Sequence, residues 1–282
     1  MTEQDFRHIR SNAIDWEDDP DIPGFRQKIL SFNEATKAVV RLWFIPPDWG
    51  ADIFDGKPDR HYHKSVVERG FHLYGDFPHW EFSNVADMKG DLHIFNRGIF
   101  MNRPPGSLHG LLPEPRSKAG AVIVYWVTGP GASIKDPEFE KETVTVPFDK
   151  DVKVELNKFN PCTIVQTEDM DWEPHPEADG WKIKHLAEPD YGADSVDLVH
   201  IPTDWQPPDR WTYNVVTESL TPWLYIVNGD LNVTVGSEEI KLRQDDFLAW
   251  PAELPVILPN APVTDVGCIA LCSGHSLTAA KA

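Results

Sequence analysis

The stretch DRHYHKSVVERGFHLYGD, Asp59 to Asp76, places His61 and His63 two residues apart, with Glu68 shortly after them. In an extended chain alternate side chains share a face, so the two imidazoles point the same way. Two imidazoles with a carboxylate close by form a donor set for a divalent metal. The bland reading is polar surface, and a His-x-His pair taken alone is more often that than a ligand pair. His72 lies four residues beyond Glu68, on the same side of an extended strand, where it could support the other groups or move a proton.

Positioning such groups requires a scaffold, and the sequence points to strands. Most apolar runs are short, β-branched or aromatic, and bounded by Pro, Gly, Asp or Asn; Ala38–Ile45 (AVVRLWFI), Gly120–Thr128 (GAVIVYWVT), Thr143–Val146 and Trp223–Val227 are examples. No long segment keeps a helical period, so the chain reads as all-β. Its 282 residues suffice for two ordinary domains, and 41% hydrophobic with 25% charged residues is globular composition. The net charge of −19 repels phosphate backbones and anionic lipid, which argues against nucleic-acid and membrane partners and leaves a small molecule as the expected ligand. Three cysteines without a CxxC, and an N-terminus without an apolar core, fit a reducing, cytoplasmic setting.

The chain also repeats itself. GFRQKIL at Gly24–Leu30 resembles GWKIKHL at Gly180–Leu186, and FIPPDW at Phe44–Trp49 resembles HIPTDW at His200–Trp205, both at an offset of 156 residues. Gly-Asp at Gly75 answers Gly-Asp at Gly229, and WVTG at Trp126–Gly129 answers LCSG at Leu271–Gly274. Matches in one order indicate two copies of a β unit. The expected organisation is an N-terminal unit over residues 1–153, a linker over 154–178 and a C-terminal unit over 179–282, with a homodimer as an open possibility.

These residues resemble the two motifs of the cupins. His61-Tyr62-His63, four residues, Glu68, six residues and Gly75 fit the first motif from its first histidine onward. Gly98, five residues, Pro104-Pro105-Gly106, two residues and His109 fit the second. The opening glycine is displaced to Gly56, and Pro113 replaces the final asparagine; neither is a ligand position. The resemblance implies two tandem jelly-roll β-barrels. It also implies one metal site, built from His61, His63, Glu68 and His109. Fe(II) is the first expectation, with Mn(II), Ni(II), Cu(II) or Zn(II) as alternatives. Gly75 is expected at a turn between strands, and Gly106 at the bend that brings His109 into the barrel. Trp43, Phe100 and Trp126 are candidates for the apolar wall of a substrate pocket, while His79 and His93 read as loop or surface residues.

The second copy lacks these ligands. Aligned on Gly229 and Pro251, the positions of His61, His63, Glu68 and His109 hold Val215, Thr217, Pro222 and Val256. Cys268 and Cys272, four apart on a strand, would lie ~13 Å apart, too far for a disulfide. The resemblance therefore implies a metal-dependent enzyme. An Fe(II) dioxygenase acting on a diketone, phenolic or enolic substrate is the first expectation. A non-redox isomerase, lyase or decarboxylase is the second, and a metal-containing binding or sensor protein the third.

Overall fold

The computed structural model describes residues 6–50, 59–112, 114–130, 133–135, 143–146, 149–155, 162–176, 178–206, 211–213, 222–251, 254–259 and 262–274. Gly56, Pro113, Val215 and Thr217 lie outside the described residues. The described residues are built from strands, with two single 3₁₀ turns and no α-helix. A first strand, β1 (Arg7–Arg10), is followed by β2 (Glu17–Asp18), β3 (Arg26–Phe32), β4 (Val39–Ile45), β5 (Asp59–His63), β6 (Glu68–Phe82) and β7 (Asp91–Asn96). Then come β8 (Ile99–Arg103), β9 (Leu108–Leu111), β10 (Ala121–Val127), β11 (Ser133–Lys135), the paired strands β12 (Thr143–Val146) and β13 (Asp149–Glu155), and β14 (Thr163–Gln166). The second half holds β15 (Glu173–Pro174), β16 (Lys182–Ala187), β17 (Val196–Ile201), β18 (Trp211–Tyr213), β19 (Trp223–Val235), β20 (Glu238–Arg243), β21 (Asp246–Ala249), β22 (Val256–Leu258) and β23 (Cys268–Ser273). The fold is all-β, as the short β-branched runs predict.

The chain divides into two compact units, Asp15–Glu168 and Met1–Ile14 with Asp169–Ala282. In the first, the sheet runs β11-β5-β9-β6-β10-β4-β3-β2, with β7 and β8 on β6 and β14 on β8. In the second it runs β1-β21-β19-β23-β17-β16-β15. The paths β14-β8-β6-β10-β4-β3-β2 and β1-β21-β19-β23-β17-β16-β15 match strand for strand. The ends of these paths are exchanged along the chain: β1 pairs with β21 (Arg7 opposite Ala249), and β14 pairs with β8 (Thr163 opposite Asn102). Each half thus lends its leading strand to the other unit. The segment expected as a linker over 154–178 accordingly carries β14 and β15, so the boundaries differ from the sequence reading. A sequence trace of this exists: Asp15-Trp16-Glu17 recurs as Asp171-Trp172-Glu173 at the same offset of 156.

Gly75 sits inside the fifteen-residue β6, not at a turn between strands. Its φ is +81°, and a Cβ there would stand 1.7 Å from the Gly120 carbonyl oxygen. Gly229 in β19 repeats this, with φ +85° and 1.8 Å to the Gly267 oxygen. The following aspartates complete the device. Asp76 accepts from the Lys118 and Ala119 amides, and Asp230 from the Asp265 and Val266 amides, tying each neighbouring loop to the strand. Here β6 slips register against β10 between Val122 and Ile123. Such a bulge changes which residues face inward.

The two units differ inside. In the second, Leu224, Ile226, Val233, Leu248, Trp250 and Val256 are among a continuous buried apolar cluster. Val256, at the position of His109, is wholly buried in it. Cys268 and Cys272 are buried free thiols in the same cluster. The first unit packs Phe25, Trp43, Trp49, Phe77, Phe95 and their neighbours against the wall of a cavity.

Candidate metal centre

The cavity in the first unit has a volume of about 630 Å³. His61 lies on β5, directly opposite His109 on β9. That approach depends on Gly110, where a Cβ would meet the Asp59 carbonyl at 1.7 Å. Gly106, with φ +81°, donates its amide to the His63 carbonyl at 2.9 Å and turns the chain into β9, as expected. The ligand atoms of His61, His63 and His109 all lie within 4.8 Å of one another. Glu68 opens β6, and its Oε2 stands 3.2 Å from His109 Nε2 and 3.9 Å from His63 Nε2.

The hydrogen bonds orient these groups. His109 Nδ1 faces the Ser107 carbonyl at 2.9 Å, and His61 Nδ1 the Asp59 carbonyl at 3.4 Å. A carbonyl can only accept, so each Nδ1 carries the proton and each Nε2 keeps its lone pair for a cation. Glu68 Oε2 is buried without a hydrogen-bond partner, while Oε1 pairs with the Arg103 guanidinium at 3.2 Å. Burial pushes the Glu68 carboxyl up, but Arg103, His63 and His61 outweigh it and hold the group below its usual range. Burial, then Arg103, keeps His109 well below the usual imidazole range, hence neutral. Three imidazoles and a carboxylate with an unpaired oxygen converging at a cavity fit a divalent transition metal.

Arg103 was not singled out by sequence, yet it organises the floor of the site. Its guanidinium reaches Glu68, Glu81 and His79. His79 Nδ1 lies between the Arg103 guanidinium, 3.1 Å from Nη2, and the Trp80 carbonyl at 3.3 Å. His79 is therefore not the loop or surface residue expected: it is buried in β6 and lines the cavity. The bulge is the reason. Counting by twos from Glu68 reaches His72 but places His79 on the outer face; the slip before Gly75 turns Phe77 and His79 inward. His93, on β7, is half-buried and stacks on Phe95.

His72 lines the cavity and is 1% exposed. Burial, with Arg103 second, pushes its imidazole down to about 3. A group held so low is a weak proton acceptor near neutrality, so its place as a wall residue beside Phe95 fits better than that of a base. Of the three aromatic candidates, Trp43 lines the cavity. Phe100 and Trp126 do not: their neighbours Met101, Tyr125 and Val127 point inward, and strand alternation sends the pair to the opposite face, with ring centroids 6.2 Å apart. Tyr125, which sequence reading passed over, lines the cavity instead; burial and then Glu68 raise its hydroxyl well above the usual range, so it stays protonated.

Two barrels of matching strand order, one enclosing a histidine cluster, define the cupin fold. Solved structures agree. A glyoxylate-induced protein of Pseudomonas aeruginosa superposes with a TM-score of 0.60 at 12% identity, over 100% of this chain and 92% of that one. YlbA from E. coli gives 0.59 at 12%, over 98% and 93%. Oxalate decarboxylase of Bacillus subtilis gives 0.56 at 15%, over 97% and 77%. No protein-family model matches the chain, and no curated protein sequence matches it.

Proposed function

We propose that the chain is a metal-dependent enzyme that holds one divalent transition metal through His61, His63, His109 and Glu68 and acts on a small molecule chelating that metal through oxygen. The carrying observation is the unpaired Glu68 Oε2, 3.2 Å from His109 Nε2 beside three clustered imidazoles at a cavity. One negative ligand leaves a net positive centre, which suits an enolate, phenolate or carboxylate. The cation, when bound, supplies either Lewis-acid polarisation or one-electron chemistry with dioxygen. The chain's own groups divide the remaining work. Arg103 holds Glu68 and places a fixed positive charge next to the site, Tyr125 offers a hydroxyl beside Glu68, and the aromatic wall limits water.

Two reaction classes follow. The donor set of three neutral imidazoles and a carboxylate, with an aromatic wall, supports an Fe(II) dioxygenase acting on a diketone, phenolic or enolic substrate. The buried Arg103 cation, suited to stabilising charge on a carboxylate or enolate, supports a non-redox lyase, isomerase or decarboxylase; a similarly folded oxalate decarboxylase points the same way. Elemental analysis of untagged wild type and His63→Ala comes first. About one metal per chain, lost in the variant, is expected; equal metal in both would sink the site. Oxygen uptake proportional to iron would select the dioxygenase, and anaerobic turnover with Mn(II) or Zn(II) the non-redox class.

A further inference from the structure

The cavity extends beyond the histidines to a second cationic group that the metal reading does not use. Arg41 lies on β4 and lines the cavity, with its side chain 14% exposed. One edge of its guanidinium is fixed: Nη1 donates to Gln27 Oε1 at 2.8 Å and to Asp19 Oδ2 at 3.2 Å. Asp19 is itself fully engaged, taking the Trp43 indole N–H at 2.8 Å and the Asp21 and Ile22 amides. The guanidinium carbon lies over the rings of Trp43 and Tyr125, 4.4 and 5.1 Å from their centroids. Those two rings stack on each other at 3.7 Å. The Nη2 group donates to none of the described residues.

We propose that Arg41 is a subsite for a carboxylate at the far end of the substrate, so that the ligand carries a metal-chelating head and an anionic tail. The inference rests on the metal reading above for the head and on Arg41 alone for the tail. Arg41 and Tyr125 are direct cross-strand partners, and Tyr125 is in turn opposite Gly70 of β6, two residues past Glu68. Two inter-strand steps separate Arg41 from the strand bearing Glu68, about 10 Å. The stacked rings of Trp43 and Tyr125 line the cavity beside that gap. A guanidinium whose position is set from one edge and from below presents its other edge to a planar anion with little entropy left to lose. One such edge, already half neutralised by Asp19, matches a singly charged carboxylate better than a phosphate dianion.

The test uses full-length, metal-loaded protein and a series of unbranched dicarboxylates from oxalate to adipate, each compared with the monocarboxylate of equal length by titration calorimetry. Expected in wild type is an affinity maximum at an intermediate length, at least tenfold above the matching monocarboxylate. Arg41→Gln should remove that maximum and leave metal content and monocarboxylate affinity unchanged. Arg41→Lys, which keeps the charge and its pairing with Asp19, should fold as wild type and retain only part of the preference, through losing the planar fork. A flat length profile in metal-loaded wild type, or an unaltered profile in folded Arg41→Gln or Arg41→Lys, overturns the subsite. His63→Ala separates the two readings: it should lose the metal and the length maximum yet keep weak carboxylate binding, which adding Arg41→Gln to His63→Ala abolishes. Absence of metal from wild type would overturn the metal centre, and Arg41-dependent carboxylate binding in that protein would still uphold the subsite.

Discussion

His61, His63 and His109 come together although they arise from two strands and a loop bend. Two of them are aimed by backbone: the carbonyls of Asp59 and Ser107 take the Nδ1 protons of His61 and His109, and glycines at 106 and 110 permit the approach. His109→Ala should therefore lose the metal while the barrel keeps its strand content. Metal titration should raise the stability of wild type by about 2.7 kcal/mol at a free concentration a hundredfold above Kd, and that of the variant by nothing, as thermal melts would read. His72 supplies a pH prediction. Its folded pKa of about 3 lies below the unfolded value, so the unfolded chain binds a proton that the native state refuses. Stability is full above about 6.5 and falls as pH drops from there toward 3, with a slope on the order of 1.4 kcal/mol per unit. His72→Phe should flatten that acid limb in urea melts across the same window; an unchanged slope would refute the buried neutral imidazole. The three histidines were legible because type and spacing carried them. Arg103 and His79 were not, since neither belongs to a spacing and a register slip hides the inward face of His79.

At the level of elements, the strands themselves were plain in the sequence, where β-branched and aromatic runs between breakers leave little else for the backbone to do. The bulges were not, because a strand of period two with one inserted residue looks like two ambiguous half-strands. The Gly-Asp repeat was the visible sign of them: Gly75 and Gly229 matched as letters before they matched as devices. Gly75→Ala adds a positive-φ penalty to a clash with backbone, and should cost on the order of 3 kcal/mol or more by denaturant unfolding. Gly229→Ala should cost about the same and leave the metal affinity unaltered, whereas Gly75→Ala should also weaken metal binding, because β6 carries Glu68.

The whole molecule is governed by the exchange of leading strands. Strand β14 covers the edge of β8, and Ile164 and Cys162 pack on the core that walls the cavity. A chain of residues 15–168 should be soluble and β-rich by circular dichroism. One of residues 15–153 leaves the β8 edge open and should aggregate or melt at lower temperature. Equal behaviour of the two would show that β14 is dispensable. Sequence reading placed this segment in a linker because pairing partners far apart along a chain leave no local pattern. The repeated Asp-Trp-Glu was the one local hint that the second copy begins before residue 179.

That exchange also sets a timetable. His8 and Asp246, bonded across β1 and β21, are 238 residues apart. At about 5–20 residues per second the ribosome takes on the order of 10–50 s to deliver the partner of the first strand. Strand β1 is thus synthesised long before its partner, and it must cross that interval as an unpaired strand available to any other edge the growing chain exposes.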